Sequence, residues 1–158
     1  MYRLPQGQKE KSTDPKDYSI RIVVFGSRSF ADKKMFHEKL LDYMEQFDSP
    51  ILFISGAARS GADDYIIRWC KKYGYPCKEY PANWTPNGPN TEVDKTAGFK
   101  RNEHMAKVAN YGLAFYDGES NGTAHMLDQC ELNKIRLVVH LFKNENAKAS
   151  HKKDLFVG

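Results

Sequence analysis

The chain has 158 residues, 41% apolar and 28% charged, with a formal net charge of +4. That is enough for one domain with a formed core plus tails, in a composition ordinary for a soluble globular protein. No run approaches the roughly 18 consecutive apolar residues of a membrane span, and Cys70, Cys77 and Cys130 form no C-x-x-C pair. With no signal-peptide pattern at the start, these thiols read as free cysteines in a reducing cytoplasm. The charge is uneven: residues 1–17 carry four Lys/Arg against three Asp/Glu, and 143–158 carry four against two. The body between them is close to neutral, which argues against a nucleic-acid stripe.

Residues 1–17 are polar and aperiodic, with two prolines, and are expected to form a loose arm. Residues 20–25 (IRIVVF) read as a buried strand. From Asp32 to about Phe47, Phe36, Leu40, Leu41, Met44 and Phe47 share one helical face. Residues 51–54 (ILFI) form a second strand, and Gly61 to Tyr73 a helix that Gly74 terminates. Pro76 to Tyr80 is a short edge strand. An irregular stretch of about 81–97, rich in proline and holding Trp84, has the length of a lid or binding loop. A helix over 98–110, a strand over 113–116, a helix over 122–133 and a strand over 135–142 complete the order.

Strands alternating with helices predict an α/β fold: one Rossmann-like domain over 18–143, with a parallel sheet of about five strands and helices on both faces. The expected strand order is 3-2-1-4-5, which puts the topological switch between strands 1 and 4. Residues 144–158 form a polar tail with a candidate docking element in Leu155-Phe156-Val157.

Three glycine-bearing loops each follow a strand and precede a helix: residues 25–30 (FGSRSF), 55–63 (SGAARSGAD) and 117–123 (DGESNGT). In a parallel sheet they emerge at the carboxyl edge, where helix N-termini point unpaired N–H groups at an anion. Gly26, Ser27 and Arg28 offer close backbone approach, a hydroxyl and a guanidinium able to grip a phosphate, unless Arg28 is simply a surface residue paired with Asp32. Gly56 and Gly61 flank Arg59, and Asp63 is a candidate partner for a ribose hydroxyl or a polar substrate group. Gly118, Ser120, Gly122 and Thr123 suit a phosphate's oxygens, with Ser or Thr capping as the plain alternative. Asp117 caps that loop or receives a ribose hydroxyl. Lys100 and Arg101 near a helix start oppose its dipole, which a bound anion would justify; Arg101 and Asn102 are placed facing the pocket. Trp84 either stacks on a base or anchors the lid. The five histidines lack metal-ligand spacing, so neither a metal nor a cofactor is expected. His104 and His125 read as helix-surface residues near the pocket mouth.

Together these loops, with residues 80–84 (YPANW), 98–102 (GFKRN) and Met105, resemble the SLOG superfamily, named for the Smf/DprA and Lonely-guy proteins. Within it the chain is most similar to the YspA-like, YpsA-related family of unknown function, over about residues 20–142. The resemblance implies a Rossmann-like fold that binds nucleotides or nucleotide-derived ligands, ADP-ribose-type signals among them. Lonely-guy enzymes cleave the N-glycosidic bond of nucleotide monophosphates with P-G-G-x-G-T-x-x-E; the position of its catalytic glutamate falls here on Met126, which cannot do acid–base work.

The leading expectation is therefore a nucleotide-ligand-binding protein with a phosphate cradle. The alternative is an N-glycosidase or phosphoribohydrolase in which Asp63 or Asp117 is catalytic. Single-stranded DNA binding, as in the DprA branch, is disfavoured by the neutral body. Similarity to the superfamily and apolar helix faces imply a homodimer or higher homo-oligomer.

Overall fold

A computed structural model describes residues 12–143. The elements are β1 (Ile20–Gly26), α1 (Lys33–Met44), β2 (Ile51–Ser55), α2 (Gly61–Tyr73), β3 (Cys77–Glu79), α3 (Ala97–Val108), β4 (Tyr111–Tyr116), α4 (Asn121–Leu132) and β5 (Arg136–Leu141). All strand pairs are parallel and the order is β3-β2-β1-β4-β5. The expected fold class and strand order are therefore those of the molecule. None of the described helices is long and apolar enough to cross a membrane.

The period-2 alternation of strand side chains divides the core in two. Ile22, Val24, Phe53, Leu113 and Phe115 point to one face, where Phe36, Leu40 and Met44 of α1 and Ile66 and Trp69 of α2 cover them. Val23, Phe25, Ile54 and Ala114 point to the other, against Met105 and Ala106 of α3 and Met126 and Cys130 of α4. Both faces are thus covered, which is why the central strands read as unbroken apolar runs.

Helix ends follow local chemistry. Asp32 caps α1 by accepting from the Met35 N–H at 3.0 Å. Gly74, at φ +78°, ends α2 in the left-handed conformation that a side chain would resist. Within the segment expected to be a loose arm, Pro15–Asp17 forms a 3-10 turn capped by Asp14, and the Tyr18 hydroxyl donates to the Ser12 carbonyl at 2.6 Å. The rest of that arm, residues 1–11, and the tail from 144 with Leu155-Phe156-Val157 lie outside the described residues.

Candidate functional site

At the switch point, β1 and β4 run side by side and their following loops diverge to opposite faces. The crevice so formed is a cleft of about 460 Å³. It is lined from β1 by Phe25, Gly26, Arg28 and Ser29, from the β2 side by Ala58 and Asp63, and from β4 and α4 by Asp117, Ser120, Gly122, Thr123 and Met126; Arg101, Asn102 and Met105 of α3 close it. A second lobe of about 550 Å³ adjoins it, lined by Gly56 to Ser60, Pro81, Ala82 and Trp84. Arg28, Ala58 and Arg101 belong to both lobes, so the two form one divided cleft. Of the expected site residues, Ser27 and Gly118 do not line either lobe.

Close packing explains the glycines. A Cβ at Gly26 would sit 2.4 Å from the Phe115 carbonyl oxygen, so β1 can pair this tightly with β4 only without one. Gly61, at φ +72°, lets the start of α2 press against the loop after β1; a Cβ there would lie 2.6 Å from the Ser27 carbonyl oxygen. Ser27 is buried, and its hydroxyl accepts from the Asp117 N–H at 3.1 Å while its own N–H donates to the Phe115 carbonyl at 2.9 Å. It joins the first loop to the third rather than facing the cleft.

The third loop is organised by Asp117. One carboxylate oxygen accepts from the N–H groups of Glu119 and Ser120, each at 2.9 Å, and the Ser120 hydroxyl lies 3.0 and 2.9 Å from the two oxygens. Burial alone would raise this carboxyl, but these donors outweigh it and hold the group below its ordinary value. The Ser120 hydroxyl is thereby committed to Asp117 and does not cap α4. The first turn of α4 keeps its N–H groups uncapped beside the cleft. Thr123, only 5% exposed, makes no side-chain hydrogen bond among the described residues and borders the cleft. Gly122 has open space where a Cβ would be.

Asp63 is treated differently. It is buried in the first turn of α2, and its carboxylate accepts from the Ala58 N–H at 3.2 Å. Burial pushes its pKa up to about 6, against the opposing pull of that hydrogen bond and of the Arg101 and Arg28 charges. Arg101 is held in place: its Nη1 donates to the Gly56 carbonyl and its Nε donates to Asn102 Oδ1 at 2.9 Å. A Cβ at Gly56 would meet Arg101 Nη1 at 2.7 Å and Asp63 Oδ2 at 2.9 Å, so that glycine makes room for the pair. Asn102 Nδ2 reaches the Gly122 carbonyl at 3.3 Å and His125 Nδ1 at 3.2 Å, tying α3 to the start of α4.

Arg28 makes no hydrogen bond or ion pair among the described residues; Asp32, the alternative partner weighed from sequence, is spent on its helix. Lys100, whose charge opposes the α3 dipole, is answered by Asp94 at 2.7 Å rather than by the cleft. Trp84 is 42% exposed at the wall of the second lobe, with Arg59 beside it. Sequence reasoning missed the cleft's apolar wall of Phe25, Met105 and Met126, because apolar residues on buried faces carry no signal that separates core from cleft lining. Among the described residues no cluster of His, Cys, Asp or Glu has the arrangement of a metal site.

Compared with known proteins, residues 20–86 match the family model of the YspA, cpYpsA-related SLOG family. The match spans β1 to the Trp84 loop and so includes the first two glycine loops. No curated protein and no solved structure matches the chain.

Proposed function

We propose, from the match of residues 20–86 to the YspA, cpYpsA-related SLOG family, that the chain binds a nucleotide-type ligand, a nucleoside phosphate or ADP-ribose-like molecule, across the divided cleft. The observation that carries this reading is an uncommitted guanidinium, Arg28, sharing a cleft with an uncapped helix start at Gly122 and Thr123. Unpaired backbone donors, a helix dipole and an arginine together favour a phosphate. Arg101 adds positive charge from the facing helix. The second lobe, walled by Trp84 and Arg59, has the aromatic surface for a base or the far half of a longer ligand.

Calorimetric titration with AMP, ADP-ribose and NAD tests it. At least one should bind saturably; Arg28→Ala should weaken it about 10- to 100-fold, the equivalent of one charge-assisted hydrogen bond of about 1.5–3 kcal/mol. Thr123→Val, nearly isosteric, should cost a smaller factor of about 3 to 10. Normal binding in both variants would refute the placement of the phosphate.

A second reading has one specific observation in its favour. Asp63 is a buried carboxyl with a pKa near 6 that borders the cleft, the tuning a general acid needs near neutral pH. It supports N-glycosidic hydrolysis, with Asp63 giving its proton to the departing base as a water molecule takes the base's place at the sugar C1′. Asp117, saturated with donors, suits loop architecture instead. Incubation with AMP would release free adenine in this case, and Asp63→Asn would stop release while sparing ligand binding. Intact nucleotide after prolonged incubation leaves binding as the function.

A further inference from the structure

His125 lies on α4 two residues beyond the cleft-lining Thr123, and itself lines neither lobe. Its ring stacks on Phe99 of α3, with centroids 4.0 Å apart and planes 11° from parallel. Hydrogen-bond logic fixes its proton. Arg101 Nε is a donor only, so the Asn102 atom that it meets at 2.9 Å is the amide oxygen. The other Asn102 atom is then the NH₂ group, and the Gly122 carbonyl, an acceptor only, agrees with that orientation at 3.3 Å. The same NH₂ lies 3.2 Å from His125 Nδ1, which must therefore accept. The neutral ring carries its proton on Nε2, facing Glu103 Oε2 at 4.0 Å.

We propose that His125 is a positioning residue: as the neutral Nε2–H tautomer it locks Asn102, and through it both Arg101 and the first turn of α4, into the arrangement that receives an anion. Protonating Nδ1 sets two donors against each other across 3.2 Å. The Asn102 amide must then turn or retreat, and its single orientation can no longer serve Arg101 and the Gly122 carbonyl together. The charged groups facing the ring come from α3: Glu103 at Nε2 and, beyond Asn102, the Arg101 guanidinium. On its own helix His125 lies near the N-terminal, positive end of the dipole. The inference rests on the nucleotide-binding reading only for what the lock serves; the lock itself is tested without ligand.

The experiment is long-range ¹H–¹⁵N NMR of the uniformly ¹⁵N-labelled protein, with imidazole, guanidinium and backbone amide signals followed as pH is lowered until the His125 ring is protonated. His125 is assigned by its loss in His125→Gln. The expected wild-type pattern is a bare Nδ1 and a protonated Nε2, with Arg101 Nε–H and the Gly122 and Thr123 amides shifting at the midpoint of His125. In His125→Gln, which cannot titrate, those shifts should vanish from that midpoint. Asp63→Asn, run alongside, removes the other group titrating near the cleft and should leave them in place. Asn102→Asp keeps the side-chain shape but offers acceptors alone, and should move the His125 proton to Nδ1. An Nδ1–H or mixed tautomer in the wild type overturns the proposal, as do cleft signals that titrate alike with and without His125.

Discussion

Asp117 and Asp63 border the same cleft, one in the loop after β4 and the other in the first turn of α2, yet their environments drive them in opposite directions. Asp117 meets two backbone N–H groups and a serine hydroxyl, so its charge is held below the ordinary carboxylate range. Asp63 is buried with the Ala58 N–H as its hydrogen-bond donor, and its charge is resisted up to about pH 6. The difference teaches what each loop does. Where a carboxylate is supplied with donors, the loop is built around it; where it is left short of them, the group keeps unspent hydrogen-bonding capacity at the cleft.

The largest expected effect comes from breaking the support under the Asp117 side. Gly26→Ala drives a methyl to 2.4 Å from a backbone oxygen of β4, which only strand displacement relieves. A loss of about 3 kcal/mol or more in urea unfolding is expected, at the top of the range for overpacking. Next is Asp117→Ala, which orphans the Glu119 and Ser120 donors and should cost about 2 kcal/mol. It should also raise hydrogen exchange at the start of α4; a protected loop in that variant would mean the carboxylate does not organise it.

Asp63→Asn should act in the opposite sense. The folded-state pKa of Asp63 lies above its unfolded value, so between roughly pH 4 and 6 the folded chain holds a proton that the unfolded chain has released, and stability falls as pH rises through that window. The asparagine variant should be more stable than the wild type at pH 7.5 by about 1–3 kcal/mol and equal to it near pH 4. Thermal melts across that range check both ends. For Asp117 the sign reverses: its contribution is present above the unfolded pKa and lost as pH falls through the lowered folded value. Smallest is Ser27→Ala, which removes the hydroxyl that receives the Asp117 N–H and should cost about 1 kcal/mol.

The sheet was legible because its evidence is local and repeated: apolar runs, a glycine loop, an amphipathic helix, then the same again. Helix and strand bounds moved by only a few residues at most, as with the proline-led edge strand, which shortened to Cys77–Glu79. Side-chain allegiance was not legible. Ser27 read as a ligand hydroxyl because it neighbours Arg28, but its partner is Asp117, 90 positions away. Asp63 and Asp117 looked equivalent because a carboxylate's pKa depends on donors that only the folded chain brings together. Lys100 looked like a cation awaiting an anion, and its answer lay six residues back in Asp94. His125 read as a helix-surface residue, since nothing local announces that Asn102, from another helix, dictates where its proton resides.

Gly56 and Gly26 both lack a side chain for want of room, but what crowds them differs. Gly26 faces rigid main chain, whereas Gly56 faces the tip of Arg101 and the Asp63 carboxylate. Evolution has therefore been handed one immovable position and one adjustable one. A single methyl at position 56 would shift the arginine that partitions the two lobes without touching the sheet. Such a site lets the division of the cleft change while its framework stays constant.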